Sequence, residues 1–313
     1  MWRFPVLSKT KHRIAGVLLG IVGITFLATG QDHDDPPESL IVRTDTLAHE
    51  DSTLVPVDSL VVVQESDSIE TDTITCPGRP DSIVNNAFGV GEELVFKIKY
   101  AGITAGISTI SVSDTVRIDD HLCYRIDNRT QSTETFSVFY KVDDRAASWF
   151  DVDQFFSRRF EKHLREGDFR ADAVIEFDQE NNIARYPLKK NQPEVEVPPC
   201  VLDVFGAIFY VRMLPLEVGK DIIFDNHDNK KTYPLVVKVL KKELISVEAG
   251  VFQCIKVQPL LRTPGLFEHK GDLWVWLTDD QYQMPVLMKS KVAVGSVNAE
   301  LAEYTLGTPL DYE

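Results

Sequence analysis

The chain has 313 residues, 43% of them hydrophobic, which is enough for one large domain or two ordinary ones with a proper core. Its net charge of −15 is unevenly spread, because residues 31–82 hold thirteen Asp or Glu against two Arg. Such a chain repels phosphate backbones, and no Lys/Arg stripe with interleaved aromatics counters this locally, so nucleic acid is excluded as a partner.

The chain opens with Arg3, Lys9, Lys11 and Arg13 and no acid, followed by an uncharged apolar run from Ile14 to Thr29. This reads as an export signal over residues 1–30, with cleavage after Gly30, where small residues accumulate. The run is shorter than the ~20 residues of a membrane span. Membrane contact is therefore expected only through this segment, if it is retained. No cysteine follows it, which excludes a lipid anchor there. The expected location is the periplasm or cell envelope.

Residues 31–82 are rich in Asp, Glu, Ser, Thr and Pro and read as an acidic disordered linker, because they lack the apolar surface to offset ordering entropy. One island, Ser59 to Gln64, has the composition to add a strand to a sheet edge.

From residue 83 to 313 the pattern is mostly one of strands. Glu93–Tyr100 alternates Leu94, Phe96, Ile98 and Tyr100 with Val95, Lys97 and Lys99, the period-2 signature of a half-buried strand. Ala101-Gly102 predicts a hairpin into Ile103–Ser113, in which Gly106 marks a bulge or a close approach. Further strands are predicted at His121–Asn128, Thr135–Val142, Ala146–Asp151, Phe155–Leu164, Phe169–Asp178 and Ala184–Leu188. Later ones follow at Asp221–Asp225, Lys231–Leu240, Leu244–Val247, Gly250–Leu261, Gly271–Leu277, Met284–Val294 and Ser296–Tyr304. Turns are expected at Asp225–Asn229 and Thr278–Asp280.

One segment differs. Pro198-Pro199, then CVLDVFGAIFYVRML, then Pro215 reads as a helix near residues 200–213 with a proline at each end, apolar almost all round and therefore buried. Asp203 and Arg212 are half a turn out of phase, so each needs a partner from outside the helix. The fold class is thus mainly all-β: a large antiparallel curved sheet or incomplete barrel packed around one buried helix.

Cys123 and Cys254 fall in apolar strand-like runs and read as buried small hydrophobes. An oxidising compartment leaves room for one bridge among Cys76, Cys123, Cys200 and Cys254, whose partners the sequence does not identify.

The stretches FYKVDDRAASWFD, FEKHLREGDFRADAVIEFD, DVFGAIFYVRMLPLEVGK, AGVFQCIKVQP and LWVWLTDDQYQMPVLMKSKVAVGSVNAEL resemble DUF3108, a domain of unknown function found in exported bacterial proteins. The resemblance spans roughly Phe88 to Leu306, and the whole chain is similar to the Bacteroidetes members. It implies an exported, predominantly β domain with no established activity, and it supplies no site residues.

The residues themselves point away from an enzyme. Asp143-Asp144 and Asp279-Asp280 lie between strands, where turn chemistry explains them. His121, His163, His227 and His269 are solitary, and neither a zinc motif, a nucleophile elbow nor a phosphate loop is present, so no catalytic residue, metal or cofactor is assigned. The pairs Arg158-Arg159, Glu161-Lys162 and Arg165-Glu166 read as a solvated strand face.

The expected function is a non-enzymatic binder of an apolar or amphipathic ligand, such as a lipid, in a groove between sheet and helix. Its candidate residues are Tyr140, Trp149, Phe205, Phe209, Tyr210, Arg212, Trp274 and Trp276. The alternatives are a structural or interaction module that meets another envelope protein, and a glycan hydrolase using acids such as Asp144 and Asp279.

Overall fold

The computed structural model describes residues 74–80, 82–261, 273–291 and 295–310. The export signal, the Ser59–Gln64 island, most of the linker and His269 lie outside the described residues.

The described chain is built from short connections between neighbouring strands: β1 (Glu93–Tyr100), β2 (Ile103–Ile118), β3 (His121–Ser132), β4 (Asp143–Asp151), β5 (Ser157–Glu166), β6 (Phe169–Asp178), β7 (Ile183–Arg185), β8 (Glu194–Glu196), β9 (Asp221–Asp228), β10 (Lys231–Val247), β11 (Gly250–Leu261), β12 (Leu273–Thr278), β13 (Pro285–Lys291) and β14 (Ser296–Thr305). They form one antiparallel sheet. β1 lies in the middle, β2 to β8 follow in chain order on one side, and β14 back to β9 on the other. Two-residue turns explain the meander. Ala101-Gly102, Asp119-Asp120 and Asn229-Lys230 all take positive φ, the backbone that reverses a right-twisted ribbon without splaying it. Gly106 lies at the predicted bulge, where the β1–β2 register slips, and a Cβ there would stand 2.7 Å from the carbonyl oxygen of Gln131.

The sheet is not closed into a barrel, but its far end β9 comes back to the other half. Leu202 makes a single parallel bridge to Asn226, Lys162 of β5 reaches Asp228 at 2.8 Å, and Tyr186 meets His227 at 2.6 Å. The inner face is filled by Phe88, Phe96, Tyr124, Phe150, Phe156 and Phe160, and by Phe205 and Phe209 of the one long helix.

Five expectations are corrected. Thr135–Val142 is not a strand: α1 (Glu134–Ser137) forms there, because the Thr133 hydroxyl caps it by accepting the Phe136 N–H at 3.3 Å. The main helix α2 (Val204–Arg212) starts at Asp203, whose carboxylate accepts the N–H groups of Phe205 and Gly206 at 2.8 and 3.0 Å. Pro198-Pro199 belong to the lead before it, which Cys200 ends with φ of 61°. The turn expected at Asp225–Asn229 falls at Asn229-Lys230 instead, because β9 continues to Asp228, and β10 runs unbroken through Leu240 and Leu244, absorbing one extra residue as a bulge after Val239. The charged pairs of β5 are not one solvated face, since a strand alternates. Arg158, Lys162 and Glu166 point inward with Phe160 and Leu164, while Arg159, Glu161, His163 and Arg165 point outward.

Candidate functional site

The eight residues expected to line a groove do not converge. Phe205, Phe209 and Arg212 are core residues, 0%, 1% and 0% exposed. Phe209 packs edge-on against Phe88 with centroids 4.6 Å apart, and Arg212 lies over both rings while bonding the carboxylate of Glu92. Asp203 also finds its partner off the helix, accepting the Ser148 hydroxyl at 2.6 Å. Helix and sheet are thus in direct contact where a ligand groove was expected. Gly206 allows that closeness, because a Cβ there would stand 2.5 Å from the Ser157 hydroxyl oxygen.

Trp149 belongs to a small cluster with Cys123 and Ala147, separate from the core, and its ring is flanked by Arg125 and Arg159 at 5.5 and 5.6 Å. Trp274 and Trp276 share one face of β12, as expected, with the Lys256 ammonium 5.0 and 4.6 Å from their centroids. The Trp276 indole N–H donates to Glu243 at 2.7 Å, which ties β12 to β10.

Tyr140 meets a polar cluster. Its hydroxyl lies near the Glu166 carboxylate, and its ring lies against Gly167, whose φ of 56° and missing Cβ leave room for it. Asp144 accepts the Arg165 N–H at 2.5 Å, while its Oδ2 and Oε1 of Glu166 are buried with no hydrogen-bond partner among the described residues. Burial pushes the Asp144 carboxyl up to about 6. Burial first, then the Asp144 charge, pushes Glu166 up to about 8. Asp279 pairs with Lys242 instead, so it and Asp144 keep separate partners. Among the described residues no group of three or more His, Cys, Asp or Glu could hold a metal ion.

Tyr210 marks the place where the surface opens. Residues 74–80, inside the stretch read as linker, are strapped to the domain here. Cys76 is bridged to Cys200 with Cα atoms 5.6 Å apart, and Arg79 stacks 4.8 Å above the Tyr210 ring while donating to the carbonyls of Gln154 and Phe155. Under the strap a cleft of about 100 Å³ is bounded by Pro77, Pro198, Pro199, Tyr210, Ile223 and Asp225. Sequence reasoning missed the strap, because an acidic, proline-containing lead looks like linker and Cys76 lies 124 positions from its partner. Cys123 and Cys254 are free and buried, as expected.

Residues 95–302 match the family described as "Protein of unknown function (DUF3108)", and the chain belongs to that family. No functionally curated protein matches it. Among solved structures it is similar to a β-barrel-like protein of the domain of unknown function DUF1849 from Brucella abortus, at 9% identity and a TM-score of 0.48, covering 71% of this chain and 100% of that one. It is also similar to a protein assigned as exported, with a YmcC-like fold, from Bacteroides fragilis, at 12% identity, 72% and 100% coverage and a TM-score of 0.34. A protein assigned as a lipoprotein from Parabacteroides distasonis matches at 12% identity, 72% and 100% coverage and a TM-score of 0.32.

Proposed function

We propose that this chain is an exported protein of the cell envelope, delivered by its N-terminal signal, and that its β domain is a non-catalytic interaction module that meets its partner at the surface. The observation that carries this reading is the filled interior. Phe205, Phe209 and Arg212 are fully buried, and the cleft beside Tyr210 holds about 100 Å³, against roughly 300–1,000 Å³ for a small-molecule pocket. An acyl chain has no room beside the helix, so the greasy groove gives way to contact at an edge or outer face. The Cys76–Cys200 bridge supports export, since such bonds persist in oxidising compartments.

Native mass spectrometry of protein purified from the envelope fraction tests this. The expected spectrum shows the mass of the bare chain. A stoichiometric lipid adduct would require α2 to swing out and would make the domain a carrier instead.

A further inference from the structure

We propose that the open edge of β9 is a docking site for an extended polypeptide segment with an apolar centre and a Lys or Arg on each side of it. This rests on the interaction-module reading and names its partner chemistry.

β9 pairs with β10 along all of Asp221–Asp228. On its other side it is the last strand of the sheet, and among the described residues only Leu202 hydrogen-bonds the backbone of that edge: the Leu202 N–H donates to Asp225 O at 3.0 Å, and the His227 N–H donates to Leu202 O at 2.8 Å. Those two bonds fix which backbone groups point away from β10. Strand alternation then places the N–H and C=O of Ile223, the C=O of Asp221 and the N–H of Asp225 on the open side. None of them has a backbone partner among the described residues. Ile223 is 59% exposed, and the cleft beneath the strap opens beside Ile223 and Asp225. A row of open donors and acceptors beside a hollow is how a sheet accepts an added strand.

Charge selects the occupant. Asp221 and Asp225 flank Ile222-Ile223-Phe224, and neither carboxylate has an ion-pair partner among the described residues. A second copy of β9 pairing antiparallel about Ile223 would set Asp221 against Asp225 twice, and like charges directly opposite destabilise a strand pair. A segment of the form Lys-x-apolar-x-Lys places a cation opposite each carboxylate in either strand direction.

The test is isothermal titration of the full folded chain with two capped heptapeptides, Gly-Lys-Val-Val-Val-Lys-Gly and its Glu-flanked counterpart. The lysine peptide is expected to bind roughly tenfold or more tighter, since two cross-strand pairs change from repulsion to attraction. Ile223→Pro removes an outward N–H that β10 does not use, so it should abolish binding with the circular dichroism spectrum unchanged. If that variant misfolds, Asp221→Lys at the exposed strand start replaces it and should erase most of the peptide preference. Equal affinity for the two peptides, no binding of either, or binding unaffected by both variants would overturn the site. Absence of peptide binding in a lipid-free protein removes only this edge, whereas a lipid adduct removes the module reading itself.

Discussion

Arg212, at the end of α2, holds Glu92 by two bonds of 2.7 Å, although the two residues stand 120 positions apart and both are essentially unexposed. The guanidinium also donates to the carbonyls of Ala87 and Tyr282, so the pair joins the start of β1, the end of the helix and the turn after β12. A buried pair of this kind contributes little net stability while intact, but loss of one partner strands a charge. Arg212→Met is therefore expected to cost about 3–5 kcal/mol in urea unfolding, and adding Glu92→Leu should restore most of it. Additive losses would show that the pair is not one unit.

The Cys76–Cys200 bridge makes a different prediction, because it restrains the unfolded chain. Closing a loop of 124 positions removes much of that chain's freedom. Cys76→Ser with Cys200→Ser should cost about 2–4 kcal/mol and lower Tm by an amount that dithiothreitol reproduces in the parent protein. The free thiols of Cys123 and Cys254 provide the control. Burial pushes both up to about 12, so neither should react with a thiol reagent near neutral pH until the protein unfolds.

Local signals were legible and long-range ones were not. Glu93–Tyr100, Phe169–Asp178 and Gly250–Leu261 were read to the residue, because alternation and turn residues are written into adjacent positions. The need of Asp203 and Arg212 for partners off the helix followed from helix phase alone. That Ser148 and Glu92 supply those partners depends on how the sheet curls, which no window of sequence contains. The face of β5 was misread for a related reason. Arg158 and Lys162 look solvated until Asp151 and Asp228 arrive from other elements to pair with them. The expected site failed at the same level: eight aromatic or basic residues share a chemistry but are dispersed over the core, the strap and the outer face. α1 was missed although the Thr133 cap is local, because the apolar residues after it, Phe136, Val138 and Tyr140, mimic strand alternation.

Stability should depend on pH with a definite sign. Folded Glu166 titrates near 8 and Asp144 near 6, both above their unfolded values. Between the unfolded and folded pKa the native state binds the extra proton, so the contribution is complete in acid and is lost as pH rises through the folded value. His227 works the other way. Burial lowers it to about 4, so its contribution is present above about 6.5 and lost as pH falls. The two trends oppose each other below 6.5, which leaves the interval from about 6.5 to 8 to Glu166. Over that interval Tm should fall, by an amount equivalent to roughly 1–2 kcal/mol, and Glu166→Gln should flatten the slope. A rising Tm there, or a slope unchanged in the variant, would contradict the assignment.

Gly206 sets helix propensity against packing. Replacing a helical glycine with alanine ordinarily stabilises, by up to about 1 kcal/mol in a helix interior and by less in the first turn, where Gly206 stands. Here the new Cβ would lie 2.5 Å from the Ser157 hydroxyl oxygen, 3.4 Å from the Phe150 ring and 3.5 Å from Leu202. Ser157 cannot swing away freely, because its oxygen accepts the Asp203 N–H at 2.8 Å, one of the contacts that seat the start of α2. Overpacking of about 1–3 kcal/mol should outweigh the propensity gain, so Gly206→Ala is expected to destabilise by roughly 1 kcal/mol or more. Ser157→Ala alone should also destabilise, since it leaves the Asp203 N–H unmet. In the double variant the alanine finds the space that the hydroxyl vacated, and the combined loss should be smaller than the sum of the two single losses. Chemical denaturation of the four proteins measures that coupling. A stabilising Gly206→Ala would mean that the helix does not press on β5 as closely as these distances require.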